Sequence, residues 1–140
     1  MTYRRGMIMV TGVLVFACAG CASISETGKT IWGSSIREME KRRPYAITKT
    51  YPKGYWDCVQ ATLKAIEDNK YVVFQKDEVK GYIVVMGIPG YVNTTEVGIF
   101  FDELSDNETR IELSSLSTNA KRAAAKALFK GLDKALTVTP

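Results

Sequence analysis

From residue 45 onward the apolar and polar positions of the chain follow two rhythms. Over Ala46 to Tyr51 they change with a period of two, Ala46, Thr48 and Thr50 lying opposite Ile47, Lys49 and Tyr51, which predicts a first strand. Pro52 then opens a helix, where its missing N–H loses no partner. From Lys53 to Asn69 the large apolar residues Trp56, Val59, Leu63 and Ile66 recur at steps of three and four. That spacing predicts a helix with Trp56 as a core anchor, Lys64, Glu67 and Asp68 outside, and a left-handed stop at Asn69.

A run of strands follows. Tyr71 to Gln75 is aromatic and β-branched, Lys76-Asp77-Glu78 turns the chain, and Val79 to Met86 returns as the second arm of a hairpin. Pro89-Gly90 presets a tight turn in the loop from Gly87 to Thr95. Glu96 to Asp102 places Val97, Ile99 and Phe101 on one face and Gly98 and Phe100 on the other. After a turn at Ser105-Asp106-Asn107, Thr109 to Leu116 alternates Ile111 and Leu113 with Arg110 and Glu112, which predicts a sheet with one wet face.

The chain closes with a helix from Ala120 to Leu136, capped by Ser117 or Thr118. Ala124, Leu128, Leu132, Ala135 and Leu136 form its apolar stripe. Arg122, Lys126, Lys130 and Lys134 form a basic stripe that reads as a solvated face. The order strand, helix, four strands, helix predicts an α+β domain: an antiparallel sheet of about five strands with two helices packed on one face. The stretch Tyr51 to Met86, with its Tyr-Pro opening, helical Trp56 and Leu63 and Gly-Tyr-Ile-Val-Val strand, resembles the helix-grip domains of small periplasmic lipoproteins. One of these is the C subunit of the outer-membrane barrel-assembly machinery. The resemblance covers about a quarter of the chain, implies a fold and a binding role, and carries over no functional residue.

Ahead of the domain the pattern changes. Arg4 and Arg5 precede an uncharged apolar run from Met7 to Ala17, which ends in the small residues Cys18-Ala19-Gly20-Cys21. Charge, apolar core and small-residue exit form the plan of a secretory signal peptide. Ala19-Gly20-Cys21 resembles the lipobox of bacterial lipoproteins, whose cysteine is acylated and becomes the mature N-terminus. Cys18 stands where that motif usually has a leucine-like residue. Plain secretion and an uncleaved membrane helix are the alternatives, the second because about 20 uncharged residues can cross a bilayer. The expected organisation is a signal peptide over residues 1–20, a lipidated N-terminus and tether over 21–44, and the domain over 45–140. Residues 36–43 form a short charged surface helix stopped by Pro44. Ala22 rather than aspartate after the cysteine implies, by the same resemblance, sorting to the outer membrane with the domain in the periplasm.

Composition narrows the chemistry. The 140 residues carry 19 basic and 15 acidic side chains; without Arg4 and Arg5 the balance is 17 against 15, too even for a nucleic-acid footprint. With Cys21 acylated and Cys18 removed, Cys58 is the single remaining thiol, and its helical apolar setting predicts a buried, inert group. The chain contains no histidine, which removes the commonest general base and zinc ligand. No catalytic, cofactor or metal residue is identified. The carboxylates Asp102, Glu103, Asp106 and Glu108 read as the solvated end of a hairpin.

Two function classes stay open. One is a non-catalytic envelope lipoprotein, held to the membrane by its lipid and binding an envelope protein, as an accessory of an outer-membrane or secretion assembly. Its candidate surface is Pro89, Gly90 and Tyr91, with Trp32 in the tether. The other is a carrier of a small apolar ligand or lipid, with its cavity between sheet and helices. A filled core beside an exposed apolar patch separates the first from the second.

Overall fold

The computed structural model describes residues 35–137. Helical residues 35–41 (α1) lead through a 3-10 turn, Arg43–Tyr45, into β1 (Ile47–Tyr51), α2 (Tyr55–Asp68), β2 (Val72–Asp77), β3 (Tyr82–Met86), β4 (Val97–Ser105), β5 (Glu108–Ser114) and α3 (Thr118–Leu136). The strands form one antiparallel sheet in the order β1-β5-β4-β3-β2. The α+β architecture therefore follows the order that the hydrophobic pattern predicts.

Strand alternation decides what each face carries. Ile99 pairs with Leu113 and Phe101 with Ile111, and these four meet α2 and α3 in the main core. Leu128 and Leu132 of α3 are fully buried there, each contributing about 1.5–3 kcal/mol of apolar transfer free energy. The two helices cross at Gly131 and Ala65, where a Cβ built on Gly131 would lie 3.2 Å from that of Ala65. Small residues at the crossing bring the helices close enough to fill the space over the sheet.

The second face is not simply wet. Ile36 and Met39 of α1 pack on Tyr82, Val84 and Phe100, making a smaller core with Phe74 at its edge. Gly98 makes the seat: a Cβ there would come within 2.9 Å of the Phe100 ring and 3.2 Å of the Met39 sulfur. The Ser114 hydroxyl, fully buried, donates to the Met39 carbonyl at 2.7 Å. The helix expected on the surface is thus part of the folded unit, held by two apolar residues one turn apart.

Other local expectations are corrected. Trp56 is 56% exposed, because α2 buries Cys58, Val59, Thr62, Ala65 and Ile66. That face is rotated away from Trp56 and is lined by small residues, with the Thr62 hydroxyl donating to the Cys58 carbonyl at 2.7 Å. Ala135 likewise faces outward from α3. Val79, expected in a strand, stands 94% exposed in the β2–β3 turn, since the Asp77 carboxylate accepts the Val79 and Lys80 N–H groups and folds the chain there. The left-handed stop of α2 is Lys70, at φ 58°, not Asn69. Lys70 N–H bonds to Glu67 O and Tyr71 N–H to Ile66 O, the paired bonds of a Schellman cap. Asn69 stays helical and donates its side-chain amide to Ala65 O at 2.7 Å.

Candidate functional site

Strand directions divide the molecule into two poles. At one lie the start of α1, the β3–β4 loop, the end of β5 and the N-terminus of α3, whose Ser117 hydroxyl accepts the Ala120 N–H. At the other lie the start of α2 and the β2–β3 and β4–β5 turns. β4, nine residues long, separates the poles by about 30 Å at roughly 3.3 Å per residue.

The first pole holds the described part of the surface expected from sequence. Ile88, Pro89, Gly90 and Tyr91 form a turn closed by the Tyr91 N–H on Ile88 O, with Gly90 at φ 86° in open space. Pro89 and Gly90 are exposed, whereas Tyr91 is half-buried against the main core and seats the loop. Cys21 and Trp32 lie outside the described residues. Beside the loop, Ser35, Met39, Thr94, Thr95, Glu96, Ser115, Leu116 and Ser117 line a cleft of about 370 Å³. Ser35 donates to the Glu96 carboxylate and Ser115 to the Glu96 carbonyl.

The opposite pole carries a groove of about 400 Å³ with aromatic walls, lined by Tyr55, Trp56, Val79, Lys80, Gly81, Phe101 and Glu103. Its wall is built by the first turn of α2. Tyr55 packs edge-on to Phe101, with ring centres 6.1 Å apart, and its hydroxyl donates to the Glu78 carbonyl at 2.5 Å. Trp56 meets Tyr55 nearly perpendicularly at 5.2 Å and turns its remaining surface outward. Val79 stands on the other side, and Gly81, at φ 76°, lies so close to the Phe101 carbonyl that a Cβ would approach it to 2.9 Å. Burial raises the Tyr55 phenol above its ordinary pKa, and the nearby carboxylates of Glu78, Asp77 and Glu103 raise it further. Sequence periodicity placed Trp56 in the core and Val79 in a strand, so the groove was missed. The Asp77 turn signal was the available clue to Val79.

Two further charged clusters tie elements of the fold together. On the α1 face, Arg43 donates to Asp102 at 2.5 Å and to Glu112 at 2.6 Å, and its guanidinium lies 5.0 Å from the Phe100 ring centre. Arg110 donates to the same Asp102 oxygen at 2.8 Å, while its Nε lies 3.0 Å from Glu112 without hydrogen-bond alignment. Burial alone would raise the Asp102 carboxyl, but hydrogen bonds from Arg110 and Arg43 outweigh it and hold the pKa below the ordinary range. Asp102 is thereby separated from Glu103, Asp106 and Glu108, which are exposed. On the other face, Asp133 accepts from Lys49 and from the buried Tyr51 hydroxyl, locking β1 to α3. Cys58 is fully buried, and burial raises its thiol pKa, an inert setting for a nucleophile.

No helix among the described residues is long and apolar enough to cross a membrane. No protein-family model matches the chain, and no curated protein matches it either.

Proposed function

We propose that the chain is a non-catalytic envelope lipoprotein, acylated at Cys21 and facing the periplasm from the outer membrane, whose domain binds another protein. The observation that carries the binding half is the groove with Trp56 56% exposed and Val79 94% exposed above the Tyr55 and Phe101 rings. A large aromatic surface left in water at the mouth of a groove with aromatic walls is the composition of an interface anchor. The space between sheet and helices, where a carrier would hold its ligand, is filled by Val59, Ile99, Ile111, Leu113, Leu128 and Leu132, each at most 1% exposed. That packing favours the binder over the carrier. The groove is put forward as the partner surface alongside Pro89, Gly90 and Tyr91, of which Pro89 and Gly90 are exposed and Tyr91 is half-buried against the core.

The anchoring half rests on the signal-like stretch ending in Ala19-Gly20-Cys21. Intact-mass measurement of membrane-extracted protein tests it: the expected species begins at Cys21 and carries acyl chains, and it disappears in Cys21→Ser. A full-length, unmodified mass would overturn the anchor. A photo-crosslinking residue at position 56, with position 130 on α3 as control, tests the binder in intact cells. Protein adducts specific to position 56 are expected, and their absence would sink this half.

A further inference from the structure

The groove has a sign as well as a shape. Glu103 and Lys80 belong to its lining, and Asp77 and Glu78 lie close enough to act on Tyr55; Asp57, Asp106 and Glu108 sit at the adjoining helix start and turn, with Lys53 and Lys76 the other amines of this pole. Two of those amines are occupied: Lys76 pairs with Glu78 at 2.9 Å and Lys80 with Asp77 at 3.7 Å. Asp57, Glu103, Asp106 and Glu108 enter no ion pair among the described residues. Asp57 lies near this turn, its carboxylate 3.9 Å from a Cβ built on Gly54, while the Asp106 carbonyl lies 3.2 Å from the same point. The negative field reaches the groove wall, where Glu78, Asp77 and Glu103 act on the Tyr55 phenol. An aromatic platform inside an acidic rim is complementary to a chain that alternates apolar anchors with cations.

We infer that the groove between Trp56 and Val79 takes a basic polypeptide segment, one apolar side chain entering over Phe101 and a flanking Arg or Lys meeting Trp56 and Glu103. This rests on the protein-binding reading above and names the chemistry of the partner. Arginine suits the place best, because its planar guanidinium stacks on an indole while still pairing with a carboxylate. Lys80 is held by Asp77, which leaves Glu103 as the carboxylate of the groove lining open to the partner's cation. An acidic segment meets the rim as like charge, and an anionic membrane surface is repelled from this pole. The exposed basic stripe of α3, Arg122, Lys126, Lys130 and Lys134, makes a second copy of this chain the competing occupant.

Three fluorescein-labelled peptides of equal length test the inference against the full chain in detergent, read by anisotropy: Arg/Lys with Leu and Phe anchors, the same anchors with Glu, and Arg/Lys with Ser replacing the anchors. The first is expected to bind most tightly and to weaken with added salt. Trp56→Ala should lower its affinity by about ten-fold or more, the scale of an aromatic hot spot. Val79→Ser, at a side chain almost wholly in water, and Glu103→Gln, at an exposed carboxylate outside any ion pair, should each weaken it without altering the melt. Equal binding of the acidic peptide, or no effect of Trp56→Ala and Val79→Ser, overturns the inference. Crosslinks from position 56 separate it from the reading beneath it. Adducts to a segment without Arg or Lys, or to α3 of a second copy, overturn the basic partner, whereas no adduct overturns protein binding itself.

Discussion

Gly131 of α3 faces Ala65 of α2 so closely that an added methyl group would lie 3.2 Å from the Ala65 Cβ. The two helices share one crossing point, and the filled core beneath it depends on that approach. Replacing a glycine within a helix ordinarily gains about 1 kcal/mol. Here Gly131→Leu should instead destabilise the protein by about 1–3 kcal/mol through overpacking, a loss read as a lower urea midpoint at unchanged slope.

Lys70 holds a left-handed conformation at the end of α2, a position where a Cβ is penalised and glycine is not. The Schellman bonds from Lys70 and Tyr71 constrain it there. Lys70→Gly is therefore expected to stabilise by about 0.5–1 kcal/mol, raising the melting temperature by a few degrees. A lower melting temperature would show that the lysine side chain contributes more than its backbone strain costs.

Trp56 and Leu128 offer opposite responses to truncation. Leu128→Ala opens a hole in a fully buried site and should cost about 2–5 kcal/mol. Trp56→Ala removes a ring already more than half in water and should cost under about 1 kcal/mol. Paired denaturation curves check the contrast, and equal losses would return Trp56 to the core.

The Asp102 carboxyl, held below its ordinary value of 3.8 by Arg110 and Arg43 against the cost of burial, sets a limb of the acid response. The unfolded chain binds the proton more readily, so stability is fully present above the unfolded pKa and falls as the pH drops through the folded one. Asp102→Asn should flatten the stability profile below about pH 4 while lowering stability at neutral pH. Urea midpoints measured from pH 7 to pH 2 give both slopes; identical slopes would mean that Asp102 does not titrate with folding.

Gly98 gives α1 its place on the sheet. Gly98→Val puts branched carbon where the Phe100 ring and Met39 sulfur already meet, so α1 should lift from the sheet. Faster trypsin cleavage at Lys41, Arg42 or Arg43 than in the wild type is the expected sign, with β1 onward still protected.

Period-two alternation located β1, β4 and β5, and β-branched and aromatic content located β2 and β3; in β4, Val97, Ile99 and Phe101 enter one core while Phe100 enters the other. The errors share a cause. Counting large apolar residues put Trp56 on the buried face of α2, whereas tight helix packing selected Ala65 and a self-bonded Thr62. The same count ran a strand through Val79, where the Asp77 carboxylate bends the backbone. Ile36 and Met39 were too few to mark α1 as a core helix until Gly98 showed where they sit. The groove could not be read from periodicity, since its residues lie outside the pattern that builds the core.

The separation of the poles sets an altitude. With Cys21 acylated as proposed, fourteen residue steps lead to Ser35, at most about 50 Å of chain, and the groove at Phe101 and Glu103 lies about 20 Å beyond along β4. Its reach above the bilayer is therefore capped at about 70 Å by chain geometry alone. A partner whose basic segment is fixed higher than that ceiling is out of range, however well it matches the groove. Deleting linker residues would lower the ceiling by about 3.5 Å for each one removed.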